Sequence, residues 1–315
     1  SHWTSRAALV LLAGGALGYS AYSPTSFTVT VMIWIAVRAI VAASFRFVML
    51  IGEINVASIG FVGMGAYAAG LATAMWHWPL AASLLLGAVI AAVAGGIFGF
   101  VTFRTSGAYF LLIGFAFTEV MRLIYTQVAA LGGNDGIVGI FPPVWLDRWF
   151  PTLLIGIAMV VLLILHRIEH STLGKLFVAI RGNERIVEAA GVNVLGIKIA
   201  CLMVASFMVG LAGALHAHAA NVISPGDFGY VVAAVVLAYV KIGGEGHILG
   251  ALIGAIALTI VEQYVRGFGA LEHSLFGAAI VAAMLFFPEG LWGLVRRLAA
   301  RPIAAQAHDQ PARQA

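Results

Sequence analysis

The sequence predicts an all-α, polytopic transmembrane helical bundle, and three observations carry that expectation. The 315-residue chain is 62% hydrophobic and only 10% charged, and its mean hydropathy is +1.02. That is far more apolar surface than one soluble core could bury. Its apolar runs approach the roughly 20 residues that a helix needs to cross a bilayer.

Taken in chain order, the runs give about ten hydrophobic segments of that length. They cover residues 7–22, 28–50, 55–75, 79–103, 107–131, 151–166, 198–220, 228–240, 247–265 and 272–287. The first follows a lone Arg6 and lacks a small-residue cleavage site, so it reads as a retained helix rather than a signal peptide. The 55–75 segment is so rich in glycine that it reads as a broken or re-entrant element, tolerated where protein or water surrounds it. The 228–240 and 272–287 segments are short for full spans. Residues 1–300 form one transmembrane domain, and the polar tail 301–315 reads as a disordered end.

One stretch interrupts this apolar pattern. Residues 171–194, STLGKLFVAIRGNERIVEAAGVNV, carry Lys175, Arg181, Glu184, Arg185 and Glu188 between two hydrophobic blocks. On a helix, Leu176, Ile180 and Val187 share one face, while Arg181, Glu184, Arg185 and Glu188 fall partly on another. A membrane domain presents such a segment when a soluble partner must grip it and move it; the alternative is an ordinary interfacial amphipathic helix.

The positive residues set the orientation. With a cytoplasmic amino terminus, Arg6, Arg46, Arg104, Arg167, Lys175, Arg181, Arg185, Lys198, Lys241, Arg296, Arg297, Arg301 and Arg313 fall on or near the cytoplasmic side. Arg148 and Arg266 fall outside. Both termini and the 171–194 segment are then cytoplasmic, and the 131–150 loop faces outward. The net charge of +4 is spread beside apolar runs with no basic, aromatic-interleaved patch, which argues against nucleic acid. Cys201 is the single cysteine, so the chain builds neither a disulfide framework nor a thiolate metal site.

Several strings are candidates for function. In GEINVASIGFVGMGAY, Asn55 and Ser58 offer neutral hydrogen bonds, and Gly60, Gly63 and Gly65 leave room either for close helix packing or for a solute. Glu119 and Arg122 are three apart and can meet on one helical face, as a structural ion pair or beside a polar path. Arg38 and Glu262 are candidate partners across helices. GGNDGI, with Asn134 and Asp135, is a turn or a docking loop, and Asp147 and Arg148 lie beside Trp145 and Trp149 in the same outer loop. Gly250 and Gly254 have the four-residue spacing of close packing. Enzyme signals are poor. His216 and His218 point to different helical faces, His166 and His170 have the spacing of metal ligands on a helix but lie at a membrane exit beside Glu169 and read as interfacial, and neither G-x-S-x-G nor H-E-x-x-H occurs.

The strings SIGFVGMGAY, RTSGAYFLLIGFAFTEVMRL, GGNDGI, STLGKLFVAIRGNERIVEAAGVNV, FMVGLAGAL, GGEGHILGALIGA and FFPEGLWGLVRR stand in the order found in permeases of the branched-chain amino acid ABC importer family. The chain resembles its LivM-type subunits most, from Gly52 to Arg297. The family also includes permeases for urea, short amides and other small solutes. The resemblance implies that Glu188, Ala189 and Ala190 form the E-A-A core of a coupling helix, followed at once by Gly191 where many importers keep a longer spacer. It implies two separate ATP-binding cassette subunits that hold ATP and Mg, a second permease subunit of related but different sequence, an external solute-binding protein and a bacterial-type inner membrane. The chain itself has no G-x-x-x-x-G-K-[ST] string with which to cradle a nucleotide, and no cofactor of its own is expected. The competing reading is a self-sufficient secondary transporter or channel with Glu119, Arg122, Arg38 or Glu262 as coupling or pore groups. It leaves the 171–194 segment unexplained.

Overall fold

The computed structural model describes residues 14–15, 18–20, 27–287 and 290–293. The predicted 7–22 segment lies largely outside them, as does the 301–315 tail. The chain divides into two compact units, residues 1–237 and 238–315.

The first unit is built on α1 (Phe27–Met49), α2 (Ser58–Ala74), α3 (Leu80–Thr102), α4 (Ala108–Gln127), α5 (Phe150–Glu169) and α8 (Val194–Ala220), with α6 (Thr172–Gly182) and α7 (Glu184–Ala189) between α5 and α8. Helix α8 packs along α1, α2 and α3. Small residues make this possible. A Cβ on Gly65 of α2 would lie 2.1 Å from the Gly210 carbonyl oxygen of α8, and one on Gly87 of α3 would lie 2.5 Å from the Gly65 carbonyl oxygen. Backbone therefore meets backbone where three helices cross, as small residues permit inside a bilayer. Pro79 caps α3 with extended backbone, and Pro151 stands in the first turn of α5, where a missing N–H costs no helical bond.

Outside the helices, β1 (Ile137–Val138) pairs antiparallel with β2 (Val222–Ile223), Ile137 opposite Ile223. This ribbon ties the loop after α4 to the end of α8. At the other end, the Arg46 guanidinium in the last turn of α1 grips Glu169 at the end of α5. The two ties lie at opposite ends of the bundle.

Helix α9 (Tyr230–Gly243) crosses the boundary between the units. In the second unit, α10 (Ile248–Val265) returns along the end of α9, and a Cβ on Gly254 would lie 1.9 Å from the Tyr239 carbonyl oxygen. The four-residue glycine spacing does serve close packing there. Helix α11 (Glu272–Phe286) follows, largely unburied within the chain. Glu262 pairs with Arg266 one turn along, 2.8 Å away.

The chain is an all-α multi-pass membrane protein. Among the described residues, seven helices are long and apolar enough to cross a membrane, and α2 and α9 are shorter apolar helices. The count of about ten segments is not reached on these residues alone. The expected break in 55–75 is absent: α2 is continuous over 17 residues, and the non-helical backbone comes before it, in the turn that carries Glu53 and Asn55. Its glycines accept close neighbours instead of bending the chain.

Candidate functional site

Residues 171–194 fold into two helices. The expected single helical face is interrupted at Asn183, whose extended backbone ends α6 and whose Oδ1 accepts from the Arg185 and Ile186 amides at 3.1 and 3.3 Å, opening α7. An asparagine cap satisfies amides that a new helix would leave bare. After Ala190 the chain turns at Gly191, with φ +83°, a conformation that costs an L-residue about 1–2 kcal/mol. Asn193 then caps α8 by accepting from the Gly196 amide at 2.9 Å. The apolar face survives the break, because Ile180, Val187 and Val194 bury together with Leu176, Val192 and Ile197 around them.

The outer face of this segment is bare. Arg181, Arg185, Glu188, Ala189, Ala190 and Gly191 are exposed, and so are Val178 and Ile186, the latter at 67%. Charges interleaved with apolar side chains on a scaffold with its own core form a surface suited to a protein partner. Glu184 turns the other way. Its carboxylate reaches Lys198 of α8, which is 4% exposed and sits 3.8 Å from Glu53. Burial pushes the Glu53 carboxyl above the ordinary carboxylate range, against the opposing pull of the Gly107 amide and the Lys198 ammonium. None of these contacts was legible in the sequence, where Lys198 marks only the start of an apolar run.

The second group of predicted residues lies where α2 meets α4. Asn55 and Ser58 are buried, and among the described residues the Asn55 Oδ1 and the Ser58 Oγ have no hydrogen-bond partner. Beside them, Thr118 Oγ1 shares its proton between the carbonyls of Val56, at 3.1 Å, and Gly114, at 3.0 Å. A Cβ on Gly60 would meet Phe117 at 2.9 Å, and one on Gly63 would meet Tyr125 at 2.8 Å and Phe228 at 3.1 Å. The space these glycines leave thus holds aromatic rings. Tyr125 stacks on Tyr67 with ring centroids 4.2 Å apart and donates from its hydroxyl to the Gly60 carbonyl at 3.3 Å. Phe228 is held in place by a Ser224–Asp227 capping box that the sequence reading missed. Gly65 faces α8 instead. Glu119 and Arg122 do pair, with Arg122 Nε donating to Glu119 Oε1 at 2.7 Å, and both remain partly exposed in the midst of α4.

The third group is exposed on the loop between α4 and α5. Asn134 and Asp135 lie in a tight turn flanked by left-handed glycines, Gly132 at φ +81° and Gly136 at φ +73°. Asp147 and Arg148 stand beside exposed Trp145 and Trp149. His216 and His218 sit in packed surroundings: His218 bonds Thr73 Oγ1 at 2.9 Å and the Ala214 carbonyl at 2.8 Å, while His216 packs edge-on to Trp34. His170 bonds the His166 carbonyl at 2.9 Å.

The chain is similar to known transport permeases. The chain is 26% identical over 267 residues to the high-affinity branched-chain amino acid transport system permease protein LivM of Salmonella typhimurium, covering 75% of this chain and 63% of that protein. It is 30% identical over 291 residues to the ribose import permease protein RbsC of Escherichia coli, covering 84% of this chain and 86% of that one. A probable branched-chain amino acid transport permease protein LivM of Methanocaldococcus jannaschii is 24% identical over 239 residues, 66% of this chain and 67% of its own. No solved structure matches the chain. The profile of one family, described as branched-chain amino acid transport system / permease component, matches residues 27–287, which takes in α1 to α11 and all three groups of residues above. On that match the chain belongs to the branched-chain amino acid transport system permease family.

Proposed function

We propose that this chain is the membrane-spanning permease subunit of an ABC importer that moves a small polar solute inward across a bacterial-type inner membrane. Two separate ATP-binding cassette subunits bind ATP and Mg and drive it, a second permease subunit completes the pathway, and an external binding protein delivers the solute. The observation that carries this reading is the exposed, charged α6–α7 segment on its own apolar scaffold, which a channel does not need. Relatives named for branched-chain amino acids put that solute first, and those named for ribose put a sugar second. The loop with Asn134, Asp135, Asp147 and Arg148 lies at the opposite end from α6 and α7 and is the surface we assign to the binding protein.

Reconstitution with the partner ATPases tests the reading, with labelled leucine and labelled ribose as the two probes. ATP-dependent uptake of either supports it, and uptake by this chain without ATPases favours the secondary transporter. Glu188→Arg reverses the charge at the start of the E-A-A string without touching the buried cluster. It is expected to leave the chain inserted and to lower ATP-driven uptake on the order of tenfold or more, equivalent to at least about 1.4 kcal/mol of coupling. Unchanged uptake counts against the assignment.

The pathway we assign passes Asn55, Ser58 and the Glu119–Arg122 pair, with Gly60 and Gly63 seating the aromatic rings beside it, while Gly65 sets the neighbouring helix crossing. A buried polar atom without a partner costs about 1–3 kcal/mol, which a passing solute or water recovers at Asn55 and Ser58. An ion pair at mid-span is expensive against lipid and so belongs beside water or protein. Glu119→Gln, Arg122→Gln and the double replacement are each expected to lower uptake about tenfold, or about 1.4 kcal/mol. A double replacement that transports better than either single one reduces the pair to a structural role.

A further inference from the structure

The Lys198 ammonium stands between two carboxylates that belong to different parts of the molecule. Glu184 opens α7, in the segment assigned above to the ATPases, and it touches Lys198 directly. Glu53 lies 3.8 Å away on the other side, in the turn between α1 and α2. The Glu53 Oε2 accepts in turn from the Gly107 amide at 3.2 Å, and Gly107, at φ +63°, is the residue from which α4 springs. Phe103, at the end of α3, closes the pocket with its ring centroid 5.7 Å from Nζ. Arg181 lies over Gly52, its Cγ 3.4 Å from where a Cβ would stand, so α6 meets the turn that carries Glu53 directly, while α7 reaches it through Lys198. Helix α4 carries Glu119 and Arg122 farther along.

We propose that Lys198 and Glu53 are positioning residues that transmit displacement of the α6–α7 segment to the start of α4, through Glu184, Lys198, Glu53 and the Gly107 amide. The proposal rests on the reading of 171–194 as the ATPase-coupling segment. One ammonium serving two carboxylates at unequal distances has two discrete arrangements: held by Glu184, as here, or closed onto Glu53 when Glu184 is drawn away. A buried charge cannot simply be released, because leaving it without a counter-ion costs several kcal/mol. Moving Glu184 therefore moves the Lys198–Glu53 contact, and with it the amide that starts α4. A chain of contacts becomes a mechanism only when it contains such a two-state element.

The test uses the assembled complex with its ATPases and a Lys198→Met, Glu53→Gln double variant. The double change removes both buried charges together, keeps the side-chain volumes close, and leaves a Gln oxygen to accept from the Gly107 amide. Glu184, 41% exposed, stays solvated. Spin labels at Ser106→Cys, beside the start of α4, and Val160→Cys, on the exposed face of α5, report the distance between the two helices in a Cys201→Ala background. MgATP with vanadate, the probe used, is expected to change that distance in the otherwise intact chain. The double variant is expected to assemble and hydrolyse ATP, with the distance change lost. A distance change that persists in the double variant, or one absent from the intact chain, overturns the proposal while leaving the coupling assignment standing. Failure of the intact chain to bind the ATPases overturns the coupling assignment and the proposal with it.

Discussion

Gly65→Ala is expected to destabilise the chain by about 3 kcal/mol, at the upper end of what overpacking costs, and Gly65→Leu to prevent a folded chain from accumulating. The added Cβ would lie 2.1 Å from the Gly210 carbonyl oxygen, 2.6 Å from its carbonyl carbon and 2.6 Å from its Cα. All three are backbone atoms of α8 and have no rotamer through which to escape. The crossing cannot widen locally either. Gly87 of α3 sits on the Gly65 carbonyl, and a Cβ on Gly213 of α8 would lie 2.0 Å from the Val62 carbonyl, so α2, α3 and α8 would have to part together. Gly63 supplies the contrast. Its obstacles are the Tyr125 ring and the Phe228 Cβ, and the ring can turn, so Gly63→Ala is expected to cost less, about 1–2 kcal/mol. Gly277→Ala in α11 meets nothing within 4 Å and is expected to be neutral or slightly stabilising. Thermal unfolding in detergent, followed by the monodisperse fraction, separates the three. A Gly65→Leu chain as stable as the parent would remove the crossing from the account.

Breaking the Arg46–Glu169 pair from one side is expected to cost about 3–5 kcal/mol, whereas replacing both partners costs far less. Arg46 is 2% exposed, and its two terminal nitrogens donate to Glu169 Oε2 and Oε1 at 2.9 and 2.6 Å, the parallel geometry that suits a guanidinium to a carboxylate. Arg46→Met leaves Glu169 without its bidentate donor, and Glu169→Gln leaves a buried guanidinium beside a neutral amide. The double variant, Arg46→Met with Glu169→Gln, removes both charges. A double-mutant cycle on unfolding free energy is expected to give a large positive coupling between the two sites. Additive single effects would show that the pair holds nothing together. The consequence reaches function, because Glu169 ends α5 and α6 begins three residues later, at Thr172. A loosened α5 end would leave the α6–α7 surface without a fixed base.

Much of the architecture was legible because it depends on local pattern. Apolar runs found α1, α3, α4, α5 and α8 within a few residues of their ends, since a span's length and hydropathy are properties of contiguous sequence. The charged 171–194 stretch was equally plain, as it contrasts with everything beside it. The i, i+3 spacing placed Glu119 against Arg122 because a helix brings such positions together whatever surrounds it. The same local logic overreached at residues 55–75. Glycine content there suggested a break, while the neighbouring helices used each glycine as a contact.

By itself the sequence determined a multi-pass helical protein, its resemblance to a permease family and the position of an exposed charged segment between two spans. Only the tertiary structure decided that Gly65 faces the backbone of α8 while Gly60 and Gly63 accept rings from α4. It alone paired Arg46 with Glu169, 123 residues apart, and brought Glu53 and Glu184 around the Lys198 ammonium. The physical reason is that hydropathy and helical period report what each segment does with its solvent. Which side chain answers a buried charge, or fills the space beside a glycine, is set by a neighbour that is distant in sequence and becomes near only when the helices have packed.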